Sequence, residues 1–179
     1  MTKPSRYHPL LVVLHWTSAL LIVFMLAFGS LVMARLPNNE AKLLPLTLHM
    51  FTGLLILVLT VTRFIVRLAT PKPAPASIGN KFLDTVGVVT HWLLYLGAFG
   101  MGLSGLGMAI QSNLFGMIGS GEWSLSGGFY QFAPRSGHHY LALAMDALIL
   151  MHIGAALFHQ IIRKDHLLAR MSFGKKAKA

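Results

Sequence analysis

The chain has 179 residues, of which 55% are hydrophobic and only 11% charged, less than half the charged fraction of an ordinary soluble domain. It carries a net charge of +10 and no cysteine, which excludes disulfides, thiolate zinc sites, iron–sulfur clusters and covalent attachment through a CxxCH motif. Histidine is then the only strong transition-metal ligand present in quantity, and the length predicts one all-α domain, residues 1–179, of four membrane-crossing helices.

The first predicted element covers about residues 10–34. No residue between Arg6 and Arg35 is charged, and LLVVLHWTSALLIVFMLAFGSLVMA is long enough to cross roughly 30 Å of hydrocarbon as a helix. Its apolar run exceeds the h-region of a signal peptide and lacks a small-residue cleavage site, so a retained anchor is expected. The second span covers about 43–68, with Pro45 in a first turn where its missing N–H costs little. The connection TPKPAPASIGNK breaks helix with three prolines. The third span, about 85–110, contains GAFGMGLSGLG, whose small residues permit close contact with a neighbouring helix. Gly and Ser then crowd the segment from Gln111 to Gly137, which reads as a long loop with interfacial aromatics. A fourth span is predicted over about 138–163.

Lys and Arg accumulate on the cytoplasmic side of inserted helices. Twelve of the fifteen lie at the N-terminus, in the connection between spans two and three, or at the C-terminus, and only Arg35, Lys42 and Arg135 lie on the other side. Both termini are therefore expected in the cytoplasm. Much of the positive charge then serves topology and anionic-lipid contact, and no nucleic-acid partner is needed.

Seven of the nine histidines, His15, His49, His91, His138, His139, His152 and His159, fall within or at the edges of spans, where ionisable groups are rare and usually functional. One such histidine is more often a hydrogen-bonded residue than a ligand, but several on different helices reverse that preference. His138 and His152 are fourteen residues apart, hence within about 40° of one helix face and about 21 Å apart along it. That suits two stacked cofactors, whereas His139 falls off the face. His15 and His49 enter their helices from opposite ends, so the natural pairs are His49 with His138 near the outer face and His15 with His152 toward the cytoplasm. His159, seven residues beyond His152, competes for the inner position. Zinc catalysis is disfavoured by the lack of neighbouring carboxylates and of an HExxH motif, and bis-imidazole haem fits better.

The segments LHWTSALLI, TLHMFTGLLILVLTVTRFIVRL, THWLLYLGAFGMGLSG and HHYLALAMDALILMHIGAALFHQIIRKDHLLARM, with the proline-rich connection, together resemble the bacterial cytochrome b561 family over nearly the whole chain. The resemblance implies a multi-pass protein of the bacterial inner membrane with four helices, two b haems, and ligands at His15, His49, His138 and His152. It also implies electron transfer involving quinone, one branch of the family being a superoxide oxidase that passes electrons to ubiquinone, while related four-helix subunits anchor hydrogenases and formate dehydrogenases. Asp146 in mid-span departs from the family pattern. The expected function is electron transfer between an outer donor, superoxide first, and ubiquinone, with a quinone site among His159, His91 and Trp16. Arg35, Lys42 and Arg135 either steer an anion to the outer mouth or serve as interface anchors. The rivals are a haem anchor subunit for a partner dehydrogenase or hydrogenase, and a haem-free transporter using histidines and Asp146 as a proton path.

Overall fold

Helix α1 (Pro9–Phe28) begins where Pro9 fixes the first turn and His8 Nδ1 accepts from the Leu10 N–H at 3.3 Å, and it continues as a π-helical turn over Gly29–Met33. The computed structural model describes residues 4–125 and 127–173. Asn39 accepts from the Ala41 N–H at 3.1 Å and opens a short 3-10 turn, Glu40–Lys42, that runs directly into α2 (Leu43–Ala69). Helix α3 (Lys81–Gln111) starts at Asn80, whose side chain accepts from the Phe82 and Leu83 N–H groups. Its first turn includes Asp84, favoured beside the positive end of the helix dipole and bonded to Ser77 Oγ and the Ile78 N–H.

The segment 111–137 is not a plain loop. Asn113 takes a left-handed conformation (φ 52°) and opens α4 (Leu114–Ser120), a 3-10 turn covers Gly128–Gln131, and α5 starts at Ala133, five residues ahead of His138. Two causes override the Gly and Ser content: Pro134 is pre-set for a first helical turn, and Leu114 and Met117, each 2% exposed, face one side of α4. They join Met33, Leu46, Met50, Ala109 and Leu125 in an apolar cluster at this end of the bundle. Against water as the alternative, each such burial contributes about 1.5–3 kcal/mol. Helix α5 (Ala133–Leu157) ends in a second π-helical stretch, Phe158–Arg163.

Helix α3 is central and packs against both α2 and α5, while α1 packs on α2. A Cβ at Gly97 would fall onto Met145 Sδ, and one at Gly102 would lie 2.9 Å from Leu57 Cδ1, so glycine at these positions lets α3 approach α5 and α2 without displacing those side chains. Between α1 and α5 the rings of His15 and His152 meet. All four long helices are apolar enough to cross a membrane, and their outward faces carry Leu20, Leu96 and Leu150 at 64–71% exposure, a surface suited to lipid. At the end bearing the termini, a 3-10 turn (Leu167–Met171) is tied down by Tyr7 N–H to the Arg170 carbonyl (3.1 Å), Trp16 Nε1–H to the Met171 carbonyl (2.7 Å) and Arg170 Nη1 to the Ala74 carbonyl (2.7 Å).

Candidate metal centres

Two pairs of imidazoles face each other inside the bundle. His49 on α2 and His138 on α5 have ring centroids 6.2 Å apart, at the end that carries α4. His15 on α1 and His152 on α5 have centroids 6.3 Å apart, nearer the termini. With about 2 Å per metal–nitrogen bond and about 1.1 Å from nitrogen to ring centre, two imidazoles trans on one metal have centroids about 6 Å apart. Both pairs have that spacing. Among the described residues no group of three or more His, Asp or Glu converges on a metal-sized site. A bare ion would need such a group, whereas a metal already held by four equatorial nitrogens needs only two axial ligands.

Between His49 and His138 lies a cavity of about 700 Å³ counting its open mouth, lined by Met25, Gly53, Leu54, Met101, Leu106 and Met145 among others. A Cβ on Gly53 would meet nothing within 4 Å, so any side chain here would project into that space.

Hydrogen bonds fix one tautomer in each of two rings. Ser104 donates its hydroxyl hydrogen to the Gly100 carbonyl (2.7 Å), so at 3.0 Å its oxygen accepts from His138 Nδ1–H and leaves Nε2 with a free lone pair. His91 donates Nδ1–H to the Gly87 carbonyl at 2.7 Å. The Nδ1 atoms of His15 and His49 are buried with no partner, a polar cost that a metal bond at the other nitrogen offsets. The donor set, spacing, cavity and orphaned imidazoles fit haem.

The remaining candidates have distinct surroundings. His91 lies 5.2 Å from His152, about 1 Å too close for a trans partner across a metal, and edge-on to it. Trp16 lies edge-on to His15 at 5.2 Å, and with its N–H bonded to Met171 it offers a ring face and not a donor. His159 belongs to the π-helical end of α5 and pairs through Nδ1 with Asp165 Oδ2 at 2.5 Å. Partial burial acts to raise the Asp165 pKa, but the hydrogen bond and charge of His159, the Leu167 N–H and the charge of Arg163 together hold it below the usual carboxylate range. His139 is exposed beside Tyr140, and Asp146 is half-buried in mid-helix without a hydrogen bond or ion pair among the described residues.

Three residues of the site escape sequence reasoning. Arg63 stacks its guanidinium 5.1 Å over Tyr95, and both Arg63 Nε and the Tyr95 hydroxyl are buried without partners. The available sign was spacing, since Arg63 follows His49 by fourteen residues, the interval that separates His138 from His152. Asp165 gave no such sign. It reaches His159 because Lys164 and His166 on either side adopt left-handed backbone (φ 53° and 56°) and its own N–H bonds back to the His159 carbonyl at 3.3 Å.

Residues 6–174 match the family model described as prokaryotic cytochrome b561. The chain is similar to "Cytochrome b562" of Cereibacter sphaeroides, at 32% identity over 96% of this chain and 98% of that one. It is also similar to "Cytochrome b561 homolog 2" of Escherichia coli K12, at 27% identity over 94% and 92% of the two chains. A third relative is "Probable superoxide oxidase CybB" of Yersinia pestis, at 25% identity over 93% and 96%. With a family match spanning almost its whole length and four apolar helices around facing histidines, the chain belongs to the prokaryotic cytochrome b561 family of electron-carrying b-haem proteins, multi-pass in the bacterial inner membrane.

Proposed function

We propose that this protein is a dihaem superoxide:ubiquinone oxidoreductase, with one b haem between His49 and His138, a second between His15 and His152, and both termini in the cytoplasm. The observation that carries this reading is the pair of ring separations, 6.2 and 6.3 Å, each of which would let the two imidazoles hold one iron between them. The four ligand positions lie on α1, α2 and α5, and the two on α5 are about 21 Å apart along the helix. Bound haem supplies one-electron chemistry between ferric and ferrous iron. The net reaction is two superoxide anions, one quinone and two protons giving two dioxygen molecules and one quinol.

At the outer end, Lys42 is held by the Leu36 carbonyl (3.2 Å) and Asn38 Oδ1 (3.0 Å), and Arg135 lies 5.3 Å over the Tyr130 ring. With Arg35 these cations outnumber Glu40 and Glu122 and draw an anion toward the outer mouth. At the inner end, Trp16 provides a ring face for a quinone head, and His91, protonated at Nδ1, keeps Nε2 to accept from a quinol hydroxyl. The His159–Asp165 pair, at the same end of α5, is placed to pass protons from the cytoplasmic side.

The test begins with detergent-purified protein whose haem content is measured as the pyridine haemochrome. Two haems per chain are expected. Superoxide added with ubiquinone should then be consumed faster than it dismutates, with one quinol formed for every two superoxide anions. Consumption that does not depend on quinone would reject the oxidase reading and leave a haem subunit that serves a partner enzyme.

A further inference from the structure

We propose that Arg63 sets the direction of electron flow, by holding the inner haem at a higher reduction potential than the outer one. The inference rests on the two-haem reading above and concerns a residue that touches neither iron. The two pockets differ in charge. The outer cavity is lined by aliphatic side chains, methionines and glycines around His49 and His138, and the cation that acts on His138, Arg135, stacks on Tyr130, which is 78% exposed. Water and salt screen a charge in that position. Arg63, by contrast, is inside the bundle, an electrostatic neighbour of His15, His91 and His152, with its Nε buried and unbonded.

Among the described residues no carboxylate balances it. The chain has five acids: Glu40 and Glu122 are at the opposite end, Asp84 is bonded to Ser77 and Ile78, Asp165 to His159, and Asp146 makes no ion pair. A half-buried guanidinium whose Nε is enclosed without a partner is unfavourable in the absence of an anion, and a haem propionate would supply that anion. Whether Arg63 acts on the iron directly or by neutralising a propionate, the sign is the same. Adding one electron to ferric haem removes one positive charge, so a nearby fixed cation favours the reduced form. A unit charge within about 10 Å, at an effective dielectric of about 20, shifts such an equilibrium roughly tenfold. Electrons entering at the outer pair therefore run downhill to the inner one.

Potentiometric titration of the purified protein, followed in the haem α-band, tests this. The wild type should show two one-electron waves, and His152→Ala should remove the higher one. Arg63→Gln should lower the higher wave by about tenfold in the reduction equilibrium, about 59 mV, leaving the lower wave in place, while Arg63→Lys should restore most of the shift. A single wild-type potential, loss of the lower wave in His152→Ala, or an Arg63→Gln protein with both waves unmoved would overturn the proposal. If Arg63→Gln does not keep both haems, the wave lost in His152→Ala decides alone. Failure of the two-haem reading is separable, because it appears in haem stoichiometry before any potential is measured.

Discussion

His159 shows how much of a residue's role depends on what sits beside it. Its spacing from His152 makes it a competitor for the inner iron, yet the structure engages its Nδ1 with Asp165 and keeps it out of the ring contacts that join His15, His91 and His152. A ligand would be irreplaceable, whereas a proton donor is not. His159→Ala is therefore expected to keep two haems and to lose about a hundredfold or more in reoxidation of reduced haem by ubiquinone, in the range of a lost general acid. Asp165→Asn should give a smaller loss of the same kind. Reoxidation by ferricyanide, which takes an electron without a proton, should be unchanged in both variants. Stopped-flow traces with the two oxidants check this, and haem loss in His159→Ala would make it the inner ligand. The histidines were legible in the sequence because an ionisable side chain inside an apolar run is conspicuous. Asp165 was not, because its placement depends on two left-handed residues that no periodicity encodes.

At the scale of the element, the bundle depends on α5, which supplies one imidazole to each pair and has Met145 as its only fully buried residue. Its position is set largely from α3, where Gly97 admits Met145. Gly97→Val should push α5 away and deplete both haems together, since each pair loses its spacing at once. Gly87→Val, on the same helix where an added Cβ meets nothing within 4 Å, should retain both. Haem per chain in the two variants, with thermal unfolding followed by the Soret band, distinguishes a packing role for Gly97 from general intolerance of valine in α3. The apolar runs made four helices readable, and fourteen-residue spacing made one face of α5 readable. The sequence did not reveal α4 or the early start of α5, because Gly and Ser argue locally for a loop while the docking of Leu114 and Met117 on distant helices decides the matter.

For the whole molecule, the sidedness of the reaction depends on which end of the bundle faces the cytoplasm. Arg63, Arg67, Lys72, Lys81, Arg163, Lys164 and Arg170 gather at the end with the His15–His152 pair, while Arg35, Lys42 and Arg135 lie at the end with α4. Lys3, Lys175, Lys176 and Lys178 extend the same bias but lie outside the described residues, as do Ser126 and Ala179. Translocating the first end would carry several flanking cations across the membrane against the potential, at about 2.3 kcal/mol per charge for each 100 mV. The orientation with both termini inside avoids that cost. A phosphatase reporter inserted near Ser126 should accordingly be active outside the inner membrane and inactive after Ala179, with a cytoplasmic fluorescent reporter giving the reverse pattern. The opposite result would put Arg63 and the His159–Asp165 pair on the outside, where protons for quinol would come from the wrong compartment and superoxide would meet the haem of higher potential first.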